Sequence, residues 1–163
     1  MTGKNYSNLS NQIVYRNMRK KIIIGIIVVI VVFAGLLIVA RTLYPTNIAD
    51  TAPNHAEAAL RTRHYKTDLK TFVAETEKII PALSTYGRNW RLDATDAGQD
   101  LAFIRAQIPV VVFTDDLEIR AESDAADGGI IVNVHSSSRV GKSDFGENRR
   151  HVLQILEALD ARF

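Results

Sequence analysis

Cysteine is absent from this chain of 163 residues. Its absence excludes disulfide bonds, thiol catalysis and thiolate metal sites, so the fold must be held together by its core. Histidine is scarce, and the four histidines show no metal-ligand spacing with each other or with Asp and Glu. They are His55, His64, His135 and His151. We therefore expect neither a metal site nor a cofactor.

Polar side chains are missing from residues 22–40, where nineteen consecutive positions carry no charge, amide or hydroxyl. As a helix, such a segment is about 28 Å long, close to the roughly 30 Å hydrocarbon core of a bilayer. In lipid every backbone donor and acceptor must be satisfied internally, which favours a helix. A helix of a protein core would keep a polar face. The run therefore predicts one transmembrane helix.

Acidic residues are missing before Asp50, and this sets the expected orientation. Five basic residues precede the apolar run, whereas only Arg41 follows it closely. The five are Lys4, Arg16, Arg19, Lys20 and Lys21. Because basic residues near a span stay on the cytoplasmic side, residues 1–21 are expected to form a cytoplasmic tail. Residues 41–163 then lie outside, in the periplasm if the span sits in the inner membrane of a bacterium.

A cleaved secretory signal is the alternative interpretation of the same run. Its apolar part is longer than the 7–15 residues usual in such signals, and it follows a long segment of 21 residues. The stretch Leu37-Ile38-Val39-Ala40 also lacks the small-x-small pattern of a cleavage site. We therefore favour an uncleaved signal anchor.

The net charge of +2 does not indicate a nucleic-acid partner once it is divided by region. Setting the five tail residues aside leaves 15 basic residues against 18 acidic ones, so the outer part is slightly acidic. The basic tail suits anionic lipids of the inner leaflet, at about 1 kcal/mol per residue near the surface. We expect a membrane partner and no nucleic acid.

The outer part divides into a connector over residues 41–65 and an α+β domain over residues 66–163. A helix capped by Thr67 or Asp68 is predicted from a stripe with a period of 3.6 residues. The stripe consists of Leu69, Phe72, Val73, Thr76, Ile80 and Leu83. A second helix is predicted from about residue 144 to the end of the chain. Its stripe consists of Val152, Ile155, Leu156, Leu159 and Phe163.

Four strands are predicted between these helices, over residues 90–95, 101–106, 110–122 and 130–135. The expected turns contain Asp96-Ala97-Gly98, Ile108-Pro109 and Asp127-Gly128-Gly129. The fold class follows from this order. We expect one transmembrane helix and then an extracytoplasmic domain in which a four-stranded antiparallel sheet packs against two helices.

The densest polar segment, residues 136–150, joins the last strand to the last helix. Gly141-Lys142-Ser143 is similar to the end of a phosphate-binding P-loop. The P-loop requires a glycine five residues earlier, where this chain has Ser136. A weaker anion, headgroup or partner site could still combine helix amides with nearby side chains. The candidate residues are Arg139, Lys142, Ser143 and Arg149.

A structural role is the favoured alternative for the same loop. Ser143 or Asp144 would cap the last helix, at about 1 kcal/mol together with the dipole interaction. Arg139 and Arg149 would then tie the loop to the carboxylates of Asp115 and Asp116.

The loop also carries a resemblance to a known family. The run V-x-V-x-S-S-S-R-V-G-K-S-D-F-G-E-N-R-R, preceded by F-T-D-D-L-E-I-R, resembles the signature of the domain-of-unknown-function family 1499. The resemblance covers roughly residues 63–163 and is most specific over 110–163. It implies a small bacterial or plastid protein that is tethered to a membrane or exported. It implies no reaction, because the family has no established activity.

Catalytic constellations are weak in this sequence. Asp115 and Asp116 are neighbours on a strand, so they should point to opposite faces and not share a proton. Ser137, His135 and Asp144 lack the nucleophile elbow of a hydrolase triad. We expect that the protein is not an enzyme and has no catalytic residues.

The leading hypothesis is a non-catalytic, membrane-anchored accessory or stabilising subunit of a larger membrane complex, with a respiratory or photosynthetic assembly as a natural host. Gly25 and Gly35 are candidate positions for packing against other helices. They are ten residues apart, which does not indicate self-association through a small-xxx-small motif. The first alternative is an envelope module that binds a lipid or anion, and the second is an exported hydrolase.

Overall fold

The computed structural model describes residues 4–43 and 46–163, and the side chains within them except those of residues 4–14, 40 and 43. The chain divides into two compact units at the boundary between residues 43 and 44.

The first unit is a single helix, α1, which spans Lys4–Leu43. Its segment Tyr15–Val39 is long and apolar enough to cross a membrane. The described side chains of that segment are all exposed, including the isoleucines and valines of the apolar run. The predicted helix over residues 22–40 is thus confirmed as a helix, and it continues through the described part of the basic tail. Gly25 and Gly35 both face open space.

The second unit is an α+β domain built on one antiparallel sheet. Its strands and helices are β1 (Ile48–Asp50), β2 (Arg63–Tyr65), α2 (Leu69–Ile79), β3 (Ser84–Thr85), β4 (Arg88–Asn89), β5 (Arg91–Ala97), β6 (Leu101–Val110), β7 (Phe113–Ser123), β8 (Ile130–Ser138) and α3 (Glu147–Asp160). Short 3-10 turns occupy Ala58–Leu60 and Ile80–Ala82. The strand order is β1-β8-β7-β6-β5, and β2 pairs with the same edge of β8 as a sixth strand. The short strands β3 and β4 form a separate hairpin.

The core lies between one face of this sheet and the two helices. Along β6, β7 and β8 every second side chain is buried, because successive residues of a strand point to opposite faces. Helix α3 packs on β8 and β1, and α2 packs on β6 and β7. The predicted stripe of α3 is confirmed as part of the core from Val152 to Leu159. The predicted cap of α2 is Asp68, whose side chain accepts a hydrogen bond from the N–H of Thr71 at 2.9 Å.

The expectation of four strands was wrong, because the sheet has six. Both extra strands come from residues 41–65, which the sequence presented as a connector. β1 pairs with the C-terminal half of β8, and β2 pairs with its N-terminal half. Each is three residues long, too short to show an alternating pattern of its own. Their pairing is decided by the free edge of β8, which lies far away in sequence.

The turn expected at Ile108-Pro109 was also wrong. Strand β6 continues through Pro109, which pairs with Thr114, and the hairpin turns at Val111-Val112. Pro109 is tolerated because β5 pairs only as far as Gln107, so β6 has a single neighbouring strand at the proline. Val111 has a φ of 44°, which is rare for a β-branched residue. Because valine is not a typical turn residue, the sequence did not indicate a turn at this position.

The turn between β7 and β8 lies where the sequence placed it, and it contains a close backbone approach. Gly129 has a φ of 110°, and a Cβ at this position would collide with the carbonyl oxygen of Tyr65 in β2. Its neighbour Gly128 has a φ of 65° but open space around it. Only Gly129 therefore combines a left-handed backbone with a steric restriction.

We expect Gly129→Ala to destabilise the domain more than Gly128→Ala. The Gly128 variant should lose about 1 kcal/mol from the left-handed backbone alone, and the Gly129 variant at least about 2 kcal/mol, because β2 must also shift. Denaturant unfolding in detergent, followed by the fluorescence of the single tryptophan, Trp90, measures both. Equal losses would show that the contact with Tyr65 is unimportant.

Candidate functional site

The polar segment between β8 and α3 folds around the side chain of Asp144. One carboxylate oxygen accepts the N–H of Gly146 at 2.9 Å, and the other accepts the N–H of Asn148 at 2.6 Å. The expectation that Ser143 or Asp144 occupies the cap position was wrong, because the N-cap residue is Gly146. Asp144 nevertheless accepts the N–H of Asn148 in the first turn of α3. Two N–H groups at the start of α3, those of Gly146 and Asn148, are therefore already bonded to an internal carboxylate instead of being available to an anion.

Asn148, in the first turn of α3, is fully buried and joins several segments of the domain. Its Nδ2 lies 2.8 Å from the carbonyl oxygen of Asn47, 2.8 Å from Ser138 Oγ and 2.6 Å from Asp144 Oδ2. Its Oδ1 accepts a hydrogen bond from Ser136 Oγ at 2.6 Å. One amide thus links the approach to β1, the end of β8 and the loop to α3.

A buried pair of titratable groups lies beside this amide. Asp115 of β7 is 3% exposed, and His151 of α3 is 0% exposed. Asp115 Oδ2 is 3.6 Å from His151 Nδ1, and Glu147 Oε2 is 3.7 Å from His151 Nε2. Within residues 46–163, neither ring nitrogen of His151 has a hydrogen-bond partner, and Asp115 Oδ2 has none either. The ring of Trp90 meets the imidazole edge-on, with centroids 5.9 Å apart.

Burial shifts the pKa values of the two groups in opposite directions. Burial raises the pKa of Asp115 to about 6, because its effect is larger than that of the hydrogen bond from Ser138, which lowers this pKa. Burial lowers the pKa of His151 to about 4, against the nearby carboxylate of Glu147, which raises it. At neutral pH the imidazole is therefore neutral and the carboxylate is ionised. The pair can exchange protons in principle, but both side chains are covered by the core and α3.

The predicted loop contacts are correct for Arg139 and wrong for Arg149. Arg139 forms two hydrogen bonds with Asp116, at 2.8 and 2.6 Å, on the outer face of the sheet. Arg149 binds Glu57 instead of Asp115 or Asp116, because it lies on the side of α3 that faces the first 3-10 turn. The prediction that Asp115 and Asp116 point to opposite faces is confirmed, since Asp115 is buried and Asp116 is half-exposed.

The candidate anion residues therefore do not converge on one another. The two arginines bind carboxylates on different elements, as just described. Lys142 is exposed in the loop, and Ser143 is half-buried beside it. A ligand at this loop would meet two guanidinium groups that are already neutralised by carboxylates.

Sequence reasoning missed His151 and Asn148, the two residues of α3 at the centre of the buried cluster. A signal was present for both. Positions 148, 151, 152, 155 and 159 follow the same 3.6-residue period, so the two polar residues lie on the stripe that the apolar residues define. Asp115 is likewise separated from Leu117 and Ile119 by even numbers of residues along β7. The alternation of a strand therefore predicts that its carboxylate points into the core.

A family model described as "Protein of unknown function (DUF1499)" matches residues 38–159, which is most of the chain. The match begins earlier than the resemblance noted in the sequence, so it includes β1 and β2 as well as the central strands. No curated protein and no solved structure matches the chain.

We expect Asn148→Ala to lower the free energy of unfolding by about 3 kcal/mol, because it leaves several buried polar partners without a hydrogen bond. Gln154→Ala is the matched control on the same helix. Gln154 donates a single exposed hydrogen bond to Ser84, at 3.1 Å, and its loss should cost less than about 1 kcal/mol. Denaturant unfolding of both variants measures the difference, and similar losses would contradict a central role for Asn148.

The stability of Asp115→Asn should depend on pH in a defined direction. Because the folded-state pKa is raised, the stability that Asp115 contributes is complete below pH 4 and is lost as the pH rises through 6. Asparagine cannot ionise and escapes this loss. Between pH 4 and 7.5 the difference in unfolding free energy should move in favour of the variant, by up to about 3 kcal/mol.

Asp68→Asn provides a control of opposite sign for this measurement. The hydrogen bonds from Thr71 lower the pKa of Asp68, so the stability that it contributes is present at neutral pH and lost in acid. The difference between this variant and the natural chain should therefore worsen as the pH rises. A pH-independent difference for Asp115→Asn would show that no buried carboxylate ionises there.

Proposed function

The chain belongs to the family described as a protein of unknown function, DUF1499, and on that premise we propose a role from its geometry. We propose that it is a non-catalytic, membrane-anchored accessory or stabilising subunit of a larger membrane complex. The observation that carries the proposal is the apolar segment Tyr15–Val39, whose described side chains are all exposed within this chain. Such a surface is stable only when lipid or other apolar helices cover it.

The location follows from the charge distribution around this segment. Five basic residues precede the apolar run over residues 22–40, and acidic residues begin only at Asp50, which favours a cytoplasmic N-terminus and a domain on the opposite side. We place the span in the inner membrane of a bacterium as a retained signal anchor, with the α+β domain in the periplasm. A respiratory or photosynthetic assembly is a natural host for a subunit of this design.

A lipid- or anion-binding role is less well supported by the contacts of the loop. Arg139 is held by Asp116, and the start of α3 is held by Asp144. An open depression of about 1000 Å³ does occur in the domain, but it lies at the other end of the sheet, beside Lys66 and Gly129. The contacts of the polar loop therefore hold the end of β8, the approach to β1 and the start of α3 together. We call this cluster, centred on Asp144 and Asn148, the structural joint.

A hydrolase would use the raised pKa of Asp115, since perturbed carboxylates are typical of catalytic sites. Catalysis would also require a cleft that brings a substrate to the carboxylate. Asp115 lies on the sheet beneath α3 and His151 lies on the buried side of α3, with exposures of 3% and 0%. We therefore assign this pair a structural role within the joint.

We expect the protein to migrate with other membrane proteins, at a defined stoichiometry, when it is purified from native membranes in mild detergent. A variant whose residues 22–40 are replaced by an unrelated apolar helix of equal length is the matched control. It keeps the anchor and the domain but changes every side chain available for helix packing. Migration of the natural chain as a lone monomer would contradict the proposal.

The helix-replacement variant also locates the contact within the chain. Loss of the partners with retention in the membrane would assign the contact to the apolar helix, where Gly25 and Gly35 offer close approach. Retention of the partners would assign the contact to the folded domain. Release of either protein from membranes by alkaline carbonate would contradict the anchor itself.

A further inference from the structure

We propose that the α+β domain inserts a small apolar tip into the outer face of the bilayer that holds its own anchor. The tip consists of Val111, Val112 and Phe113 at the β6–β7 turn, together with Val140 in the loop between β8 and α3. This inference rests on the proposed membrane anchor and goes beyond it, because it assigns a second membrane contact to the folded domain. The occupant of the surface is the lipid of the interfacial region.

The exposure of these side chains is unusual for the domain. Val112 is 79% exposed and Val111 is 63% exposed, and Phe113 and Val140 are also exposed. Over residues 46–163, five of the eight exposed large apolar side chains occur in these two segments, with Phe145 as the fifth. Clustered apolar exposure of this kind marks an interaction surface, whereas single exposed apolar residues are ordinary.

The backbone holds the tip in an unfavourable conformation. Val111 has a φ of 44°, and Phe145 in the neighbouring loop has a φ of 56°. Left-handed backbone is unfavourable for a β-branched or aromatic residue, because its Cβ comes too close to the following carbonyl oxygen. Asparagine or glycine would relieve it, and either would be the ordinary choice for a solvated turn. The presence of valine and phenylalanine therefore indicates a surface that is not solvated in use.

The register of the sheet locates the tip at one end of the domain. Asp115 pairs with Ser138, and the Ser138 N–H donates to the carbonyl oxygen of Asn47 at 3.0 Å. Asn47 also holds the loop by donating from Nδ2 to the Gly141 carbonyl oxygen at 3.0 Å. From the row through Asp115, the β6–β7 hairpin continues for about three more residues, or roughly 10 Å. The tip is thus the part of the sheet that extends beyond Asn47.

The covalent chain limits the distance between this end of the domain and the end of α1. Helix α1 ends at Leu43, and only four Cα–Cα steps lead from there to Asn47. Four residues span at most about 14 Å, whatever their conformation. Strand β1 is antiparallel to β8, so the chain that leads into β1 arrives from the end at which β8 finishes. The tip therefore lies at the end of the sheet where this short connection is attached, and its extension of roughly 10 Å beyond Asn47 is comparable with the length of the connection.

The side chains around the tip suit the polar–apolar boundary of a bilayer. Lys142 is exposed in the loop after β8, and Tyr86, at the turn of the β3–β4 hairpin, is exposed although its hydroxyl donates to Glu147 Oε1 at 2.8 Å. Strands β3 and β4 both contact β6, and Arg88 lines a shallow pocket with Pro109 and Thr114. Tyrosine and long basic side chains are typical of membrane interfaces, because their stems are apolar and their ends are polar.

The absence of cysteine makes a direct test possible in the full-length protein. Val112→Cys and Val140→Cys each introduce a single thiol for an environment-sensitive fluorophore. Ala126→Cys is the matched control, because Ala126 is exposed in the β7–β8 turn at the opposite end of the sheet. The labelled proteins are reconstituted alone into vesicles of phosphatidylcholine and phosphatidylglycerol. Emission is then measured with and without spin-labelled lipids.

We expect blue-shifted emission and quenching by spin-labelled lipid at positions 112 and 140, and neither effect at position 126. Solvent-like emission at 112 and 140 in vesicles would overturn the inference. If such labels became protected only in complexes from native membranes, a protein subunit would cover the tip, which overturns the lipid contact and supports the proposed function. Protection that depends on the protein-to-lipid ratio would indicate a second copy and would also overturn it.

Carbonate extraction of the same vesicles separates this inference from the proposed anchor. Protein that resists extraction while its labels at 112 and 140 stay solvated retains the anchor and loses the tip contact. Protein that is extracted loses both. Circular dichroism of each labelled variant confirms that the domain is folded, which is expected because all three positions are exposed.

Discussion

The buried amide of Asn148 is the interaction on which this domain depends most. An amide inside a protein costs about 1–3 kcal/mol for each polar group that lacks a partner, so every atom of it must be matched. The partners come from the approach to β1, from β8 and from the loop before α3. Because these partners belong to three different segments, one of them 101 residues away in sequence, the amide fixes the position of the helix and the end of the sheet at the same time.

The polar character of this end of the core explains the neighbouring pair of Asp115 and His151. Further along the sheet, the interior is filled by apolar side chains such as Ile104 and Ile119. Near Asn148 the same inward positions carry a carboxylate, an imidazole and serine hydroxyls. Low dielectric surroundings strengthen each satisfied hydrogen bond and make each unsatisfied one costly, so such a cluster is rigid but sensitive to substitution. The run of residues that carries the family resemblance is largely the run that builds this joint.

The helices and the central strands could be predicted from the sequence because their patterns are local. The absence of polar groups over residues 22–40 is sufficient for a helix in lipid. The stripe through Val152 and Leu159 gave α3, and the inward–outward alternation around Ile119 gave the wet and dry faces of the sheet. The buried pair of Asp115 and His151 could be predicted only in part. Asp115 and His151 could each have been assigned to the core from the period of its own element, whereas their proximity to each other depends on the packing of α3 on the sheet.

What the sequence determined by itself is therefore the set of elements whose pattern is complete within one local segment: the apolar run of α1, the stripes of α2 and α3, and the alternation along the central strands. The tertiary structure decided the rest. β1 and β2 are strands because β8 offers them an edge, Arg149 binds Glu57 because of the side of α3 on which it lies, and the turn at Val111 exists because β6 and β7 pair up to Val110 and Phe113. In each case the deciding contact joins residues whose relation is set by pairing or packing, which a local pattern of side chains does not encode.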